Sequence, residues 1–330
     1  MVGEDYGVHY GVMLRACTAV LLACALFTAC QNSKKKVIGV VPKGTSHIFW
    51  QSVQAGAIAA GRDLGVEVVW NGPSQETEYS RQVQIVDSMI ARGVDGLAVA
   101  ATDRTALSQP IDRAAKAGIL ATVFDSGVDT ENYLTFVATN NYEGGQLAAR
   151  KLAELIHNKG KVAVVMNAPG SGSTMDREKG FEDVMAKEFP NIKIVARQFG
   201  MSDRAKARDA AENMLGAHPD LDGMFASAEP SSVGAALAIK ARGLTDKVNL
   251  VAFDSTEGMI EDLKNGAIDA LVVQDPFRMG YQAVKTQVDH LHGITPPKRI
   301  DLSARVITKP DLDKPDVKEL LFPDLDKYLK

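Results

Sequence analysis

The sequence predicts an α/β protein of two doubly wound parallel-sheet lobes, and three observations predict it. Most short β-branched runs start roughly 20–32 residues apart with helical patterns between them, which is the period of βαβ units in a parallel sheet. The series runs through the chain twice. The two runs also share a landmark: Asp95-Gly96 and Asp222-Gly223 open equivalent strands, and Phe124-Asp125-Ser126 and Phe253-Asp254-Ser255 close the strands that follow.

In the first half, strands are predicted at 37–41, 66–70, 96–100, 120–124 and 134–137. Helical patterns fill 49–64, 76–92 and 105–117, with Gly65, Gly93 and Gly118 as C-caps. The second half repeats the scheme with strands at 161–166, 192–198, 223–226, 249–252 and 270–273. Each half has room for about five strands. Ahead of both lies a leader. After Arg15 an uncharged apolar run extends from Ala16 to Ala29. As a helix it spans about 21 Å, too short for a bilayer core of about 30 Å. A positive residue, a short apolar run and a small residue before a cut site read as a secretory signal peptide over 1–29, with Met1 or Met13 as the start. Phe27-Thr28-Ala29-Cys30 resembles the bacterial lipoprotein box, which implies lipidation of Cys30 and a tether over 30–36.

Composition narrows the function. Apolar residues make up 45% and charged residues 24% of the 330, which excludes a disordered, fibrous or polytopic membrane chain. A net charge of −4 with no basic stripe argues against nucleic acid as a partner. The three cysteines, Cys17, Cys24 and Cys30, all lie in the leader or at its end, so the folded part has no disulfide framework, cysteine nucleophile or cysteine zinc site. No HExxH, P-loop or Gly-x-Ser-x-Gly motif occurs, and neither a cofactor nor a metal is expected. The run Gly170-Ser171-Gly172-Ser173-Thr174-Met175 lacks the third glycine of a dinucleotide loop.

Ligands of open α/β sheets bind beyond the carboxyl ends of the strands. Two lobes facing each other would bring Asp125 and Asp254 into one cleft from opposite walls. An ionised carboxylate can accept both hydroxyl protons of a vicinal diol, and the C–H face of a sugar packs on aromatic rings. Phe49 and Trp50 follow the first strand, while Lys43, His47, Glu229 and Gln274 lie just beyond strand ends. These residues suit a polyhydroxylated ligand. Plainer readings stand beside this one: an Asp at a βα junction serves as a helix N-cap, and Phe49 and Trp50 suit a core. A second class of function is a glycosidase pair, which needs carboxylates about 5–5.5 Å or 6.5–9.5 Å apart.

Taken together, several stretches resemble the ribose-binding family of bacterial periplasmic proteins that serve ABC importers. They include Val40-Val41-Pro42-Lys43 with His47-Ile48-Phe49-Trp50, Thr122-Val123-Phe124-Asp125, Ala138-Thr139-Asn140-Asn141, Arg177-Glu178-Lys179-Gly180-Phe181, Ala252-Phe253-Asp254 and Val273-Gln274. The likeness runs from Val37 to about Lys309. It implies a type I periplasmic binding protein: one lobe of 37–139 plus 275–303, another of 140–274 plus 304–330, three crossovers between them, and no enzymatic activity. LacI-type repressors share that fold but begin with a helix-turn-helix where this chain has an export signal. The resemblance implies ring contacts at Phe49 and Trp50 and hydroxyl contacts at Asp125, Asp254 and Gln274. Ribose binders have Asn where this chain has His47, Arg where it has Ser126 and Met175, and Asn where it has Ala228. Losing two guanidiniums counts against ribose itself. Pro42-Lys43, Phe124-Asp125-Ser126, Asp176 and Gln198-Phe199-Gly200 also resemble the quorum-signal furanose receptors, with Lys43, Asp125 and Asp176 as implied contacts and Arg177 as a departure. The expected protein is a monomeric, exported lipoprotein, periplasmic or on the cell surface, held to the membrane only by its lipid. It captures a monosaccharide or sugar alcohol for an ABC permease, or signals through a membrane sensor.

Overall fold

The computed structural model describes residues 35–330; the leader, Cys30 and most of the tether lie outside the described residues. The first half runs β1 (Val37–Val41), α1 (Ile48–Leu64), β2 (Glu67–Trp70), α2 (Tyr79–Ala91), β3 (Gly96–Val99), α3 (Ser108–Lys116), β4 (Thr122–Phe124) and β5 (Thr135–Thr139). The second runs α4 (Asn141–Leu155), β6 (Gly160–Met166), α5 (Gly172–Glu188), β7 (Ile192–Phe199), α6 (Arg204–Ala217), β8 (Gly223–Ala226), α7 (Glu229–Ala241), β9 (Asn249–Phe253), α8 (Glu257–Asn265) and β10 (Ala270–Val273). Then come α9 (Pro276–Leu291), β11 (Arg299–Leu302), β12 (Arg305–Ile307), α10 (Pro315–Leu321) and α11 (Asp326–Leu329).

Two six-stranded sheets result, ordered β11-β5-β4-β3-β1-β2 and β12-β10-β9-β8-β6-β7. The central strands are apolar runs buried on both faces, as parallel strands under two helical layers must be. The sixth strand of each sheet goes beyond the five expected. β11 adds in parallel to β5, and β12 pairs antiparallel with β10. Each sheet carries two core layers. In the first lobe one layer centres on Trp50, Val53 and Phe124 and the other on Val86, Leu97 and Ile111. In the second, Phe181, Phe225 and Phe253 fill one face and Met214, Met224 and Ile239 the other.

The two lobes repeat each other in detail. In the first, α1 crosses α9 so closely that a Cβ on Gly56 would lie 1.9 Å from the Phe277 carbonyl oxygen. In the second, α4 crosses α5 in the same way, and a Cβ on Gly145 would lie 1.9 Å from the Arg177 carbonyl. Both Phe-Asp-Ser motifs place their Asp in the left-handed region, with φ of 57° at Asp125 and 70° at Asp254. Asp tolerates that conformation better than most side chains.

The chain passes between the sheets after β5, after β10 and between β11 and β12. The tail departs from the expectation that all of 304–330 lies with the second lobe. Val317 and Leu321 of α10 join the second lobe's core. The last turn, α11, instead lies against the first lobe, where Arg62 Nη1 donates to the Lys327 carbonyl at 2.9 Å and the Tyr328 ring meets Phe277 at 5.3 Å.

Candidate functional site

The carboxyl ends of both sheets converge on one cavity, lined by Lys43, His47, Phe49, Trp50, Glu76, Asp125, Asn167, Ser173, Thr174, Arg177, Ala228, Glu229, Pro230, Asp254 and Gln274. The topology explains most of this lining. Asp125, Asn167, Asp254 and Gln274 are each the first residue after a strand, at the ends of β4, β6, β9 and β10. Lys43 lies two residues beyond β1, and Glu229 opens α7 just beyond β8. His47, Phe49 and Trp50 come from the start of α1; Ser173, Thr174 and Arg177 come from the first turns of α5.

The first-lobe wall is a charged network. Lys43 Nζ lies 3.3 Å from Asp125 Oδ2 and 3.9 Å from Glu76 Oε2, and it donates across the cleft to Ser171 Oγ at 3.0 Å and Ser173 Oγ at 3.2 Å. Trp50 Nε1 donates to Glu76 Oε1 at 2.7 Å, and His47 Nδ1 lies 3.5 Å from the same oxygen. Burial alone would raise Glu76, but Lys43, His47 and the indole N–H outweigh it and hold the carboxyl well below the usual range. Burial works against charge on His47 as well. The Glu76 hydrogen bond, with the Glu76 and Glu229 carboxylates, overcomes it and raises His47. Trp50 is 2% exposed and belongs to the core layer, so Phe49, half-buried and edge-to-face with it at 4.9 Å, is the more accessible ring.

The second-lobe wall is built on Asp254 and Arg177. Asp254 Oδ2 accepts from the Glu229 backbone N–H at 2.9 Å and Oδ1 accepts from Gln274 Nε2 at 2.6 Å. Gln274 in turn accepts from Thr139 Oγ1 at 2.7 Å. Asp254 therefore caps α7 while it lines the cavity. Arg177 donates from Nε to Asn141 Oδ1 at 2.8 Å and from Nη1 to the Ser227 carbonyl at 3.0 Å, with its guanidinium 3.9 Å from the Phe253 ring centre. A guanidinium thus reaches the site although Ser126 and Met175 supply none. Burial raises both Asp254 and Glu229, and Arg204 donates to Glu229 Oε1 from the rim.

Three acceptors remain open. Asp125 Oδ2, Asn167 Oδ1 and Glu229 Oε2 are buried lining atoms that accept no hydrogen bond from the described residues, Asp125 Oδ2 being ion-paired with Lys43. Buried acceptors are costly to leave unmatched. The cavity between them is small, with room for about two or three waters.

Three expected residues lie elsewhere. Thr174 and Arg177 face inward from α5, so Met175 and Asp176, between them on the helix, turn outward and are exposed. Ser126 is buried but is absent from the cavity lining; it exchanges hydrogen bonds with Ser173 of the other lobe, at 3.1 Å between hydroxyls and 2.9 Å from the Ser173 N–H. Conversely, Glu76, Asn167, Ser173, Thr174 and Pro230 were not singled out from the sequence. Glu76 was read as the start of a helix, but that helix begins at Tyr79 and leaves Glu76 in the loop after β2. Asn167 directly follows a strand, which was a usable signal.

Among the described residues no helix is long and apolar enough to cross a membrane, and no group of His, Cys, Asp and Glu is arranged to hold a metal ion. A family profile described as a periplasmic binding protein domain matches residues 38–295. The ribose import binding protein RbsB of Bacillus subtilis is 27% identical over 311 residues, covering 90% of this chain and all of that protein. The D-ribose/D-allose-binding protein of Pseudomonas aeruginosa is 29% identical, covering 88% of this chain and 96% of that one. Among solved structures, a carbohydrate transporter solute-binding protein of Agrobacterium radiobacter in complex with D-arabinose superposes with a TM-score of 0.86 at 33% identity, covering 88% of this chain and 100% of that one. An ABC transporter solute-binding protein of Agrobacterium vitis bound with α-D-tagatopyranose gives 0.84 at 32% identity over the same shares. These relatives are binding proteins of transport systems, not enzymes. The chain belongs to the periplasmic binding protein family and, within it, is of the ribose-binding type that serves ABC transporters.

Proposed function

We propose that this protein captures one neutral monosaccharide or sugar alcohol in the cavity between its lobes, closes on it by rotation at the crossovers, and delivers it to an ABC permease. The observation that carries this reading is the trio of open acceptors, Asp125 Oδ2, Asn167 Oδ1 and Glu229 Oε2. A polyol ring brings several O–H donors at once and is suited to satisfy them together. Two of the three belong to carboxyl groups, and Glu76 and Asp254 add further acidic side chains to the lining. Lys43, His47 and Arg177 in the same lining offset these carboxyls, which suits a neutral ligand. Phe49, in the lining, offers an apolar ring for the C–H face.

The relatives that bind D-arabinose, tagatose, ribose and allose support a five- or six-carbon sugar without selecting one. For a quorum-signal furanose, Lys43 and Asp125 are suitably placed, but Asp176 is exposed outside the cavity, which removes one of the three contacts that reading needs. Export to the periplasm fits the family, and lipidation at Cys30 would keep the protein at the membrane.

The test is a thermal-shift screen with D-arabinose, D-tagatose, D-fucose, D-ribose, D-allose, xylitol, galacturonate and the quorum furanose, followed by calorimetric titration. At about 100 times Kd a single-site ligand adds about 2.7 kcal/mol of stability, which raises the melting point by several degrees. A neutral sugar or polyol is expected to give the largest shift. A shift with galacturonate alone, or with the furanose alone, would contradict the proposal.

A further inference from the structure

Glu76 is the one acidic residue of the first-lobe wall that also touches the second lobe through a hydrogen bond of its own side chain. Its Oε1 takes the Trp50 indole and faces His47; its Oε2 faces Lys43 and accepts from Ser202 Oγ at 3.0 Å. Lys43, His47 and Trp50 all line the cavity, so this single carboxylate fixes the position of much of the ligand wall. Ser202 does not line the cavity. It sits in the turn between β7 and α6, where Met201 and Ser202 both adopt the left-handed conformation, with φ of 56° and 54°.

Two successive side-chain-bearing residues hold that conformation only where their surroundings enforce it. Here the Gly200 N–H donates to the Met166 carbonyl at 2.8 Å and the Ser202 N–H donates to the Asn167 carbonyl at 3.2 Å, while Asp203 caps α6 through the Lys206 N–H. The turn is thereby pinned to the end of β6, beside the cavity residue Asn167, with its hydroxyl aimed at the opposite lobe. When the lobes separate, Glu76 Oε2 loses this donor and the carboxylate that organises the wall must find another.

We propose that Glu76 is a positioning residue that couples the arrangement of the ligand wall to the meeting of the lobes, with the Ser202 hydroxyl as its counterpart. The proposal takes from the sugar-capture reading the identity of the wall and the separation of the lobes; the coupling can be measured with no sugar present. Fluorophores on click-reactive residues at exposed Arg81 and Lys206 report the distance between lobes in the intact, sugar-free protein by single-molecule energy transfer. Ser202→Ala is expected to lower the ratio of joined to separated lobes about tenfold, which corresponds to about 1.4 kcal/mol. Ser202→Gly lacks the hydroxyl but suits the left-handed backbone, and it is expected to show the same loss, with Trp50 emission shifted in both variants. No change in either variant, or a loss in Ala without one in Gly, would overturn the proposal, the latter by placing the effect in the backbone. Failure of every sugar in the screen would count against the capture reading and leave this result readable.

Discussion

Asp125→Asn isolates the contribution of one open acceptor. Asp125 Oδ2 is buried, is ion-paired with Lys43 Nζ at 3.3 Å and accepts no hydrogen bond from the described residues. A ligand hydroxyl donating to such an ionised oxygen contributes about 1.5–3 kcal/mol. Asparagine keeps the shape but presents either a neutral carbonyl or an N–H where an acceptor is needed. A loss near 2 kcal/mol corresponds to a Kd about 30-fold weaker. Lys43 keeps its Ser171 and Ser173 partners in the variant, so the fold is expected to survive. The assay is calorimetric titration of both proteins with the sugar that gives the largest thermal shift, alongside unfolding curves without sugar. A variant that binds within about twofold of the parent, with unchanged unfolding, would refute the reasoning, because an open acceptor that a ligand fills cannot be changed at so little cost.

Burial pushes the Glu178 carboxyl up to about 7, with Oε1 taken by Ser227 Oγ and the Asn167 N–H and Oε2 open. Between its ordinary value of 4.5 and about 7 the folded state holds a proton that the unfolded chain has released, so this group's stabilisation is complete below the window and is lost as pH rises through it. Glu178→Gln should therefore flatten the fall of melting temperature across that window, and parallel curves for the two proteins would contradict the assignment. Arg177→Lys cannot reproduce the donors to Asn141 and Ser227 or the contact with Phe253. It should cost about 2 kcal/mol, a melting point several degrees lower and weaker sugar binding together, by scanning calorimetry and titration. Cys30→Ser should move the protein from the membrane to the soluble fraction on cell fractionation, and a variant that stays with the membrane would remove the case for a lipid anchor.

What the sequence reveals and what it conceals follow from the same physics. The βα period and the Gly65, Gly93 and Gly118 positions were legible because strand spacing and left-handed caps are local; all three glycines have positive φ. Asp125, Asp254, Glu229 and Gln274 were legible because a doubly wound lobe puts whatever follows its strands at the cleft. β11 and β12 escaped notice because each is a short edge strand carrying Arg, and β11 carries Asp as well, so neither reads as an apolar run. Glu76 was missed because a boundary error of three residues moved it from a loop into a helix whose start no side chain caps. Met175 and Asp176 were misplaced because motif likeness carries no helix phase, and the neighbours Thr174 and Arg177 had already taken the inward face. The path of the tail to the first lobe depends on Arg62 and Phe277 meeting Tyr328, contacts between residues far apart in the chain.

The most direct measurement is a crystal structure of the protein with the sugar that gives the largest thermal shift. A single sugar is expected between the lobes, its ring against Phe49, with hydroxyls about 2.5–3.0 Å from Asp125 Oδ2, Asn167 Oδ1 and Glu229 Oε2. A sugar bound elsewhere, or bound in the cavity with those three oxygens still unmatched, would contradict it.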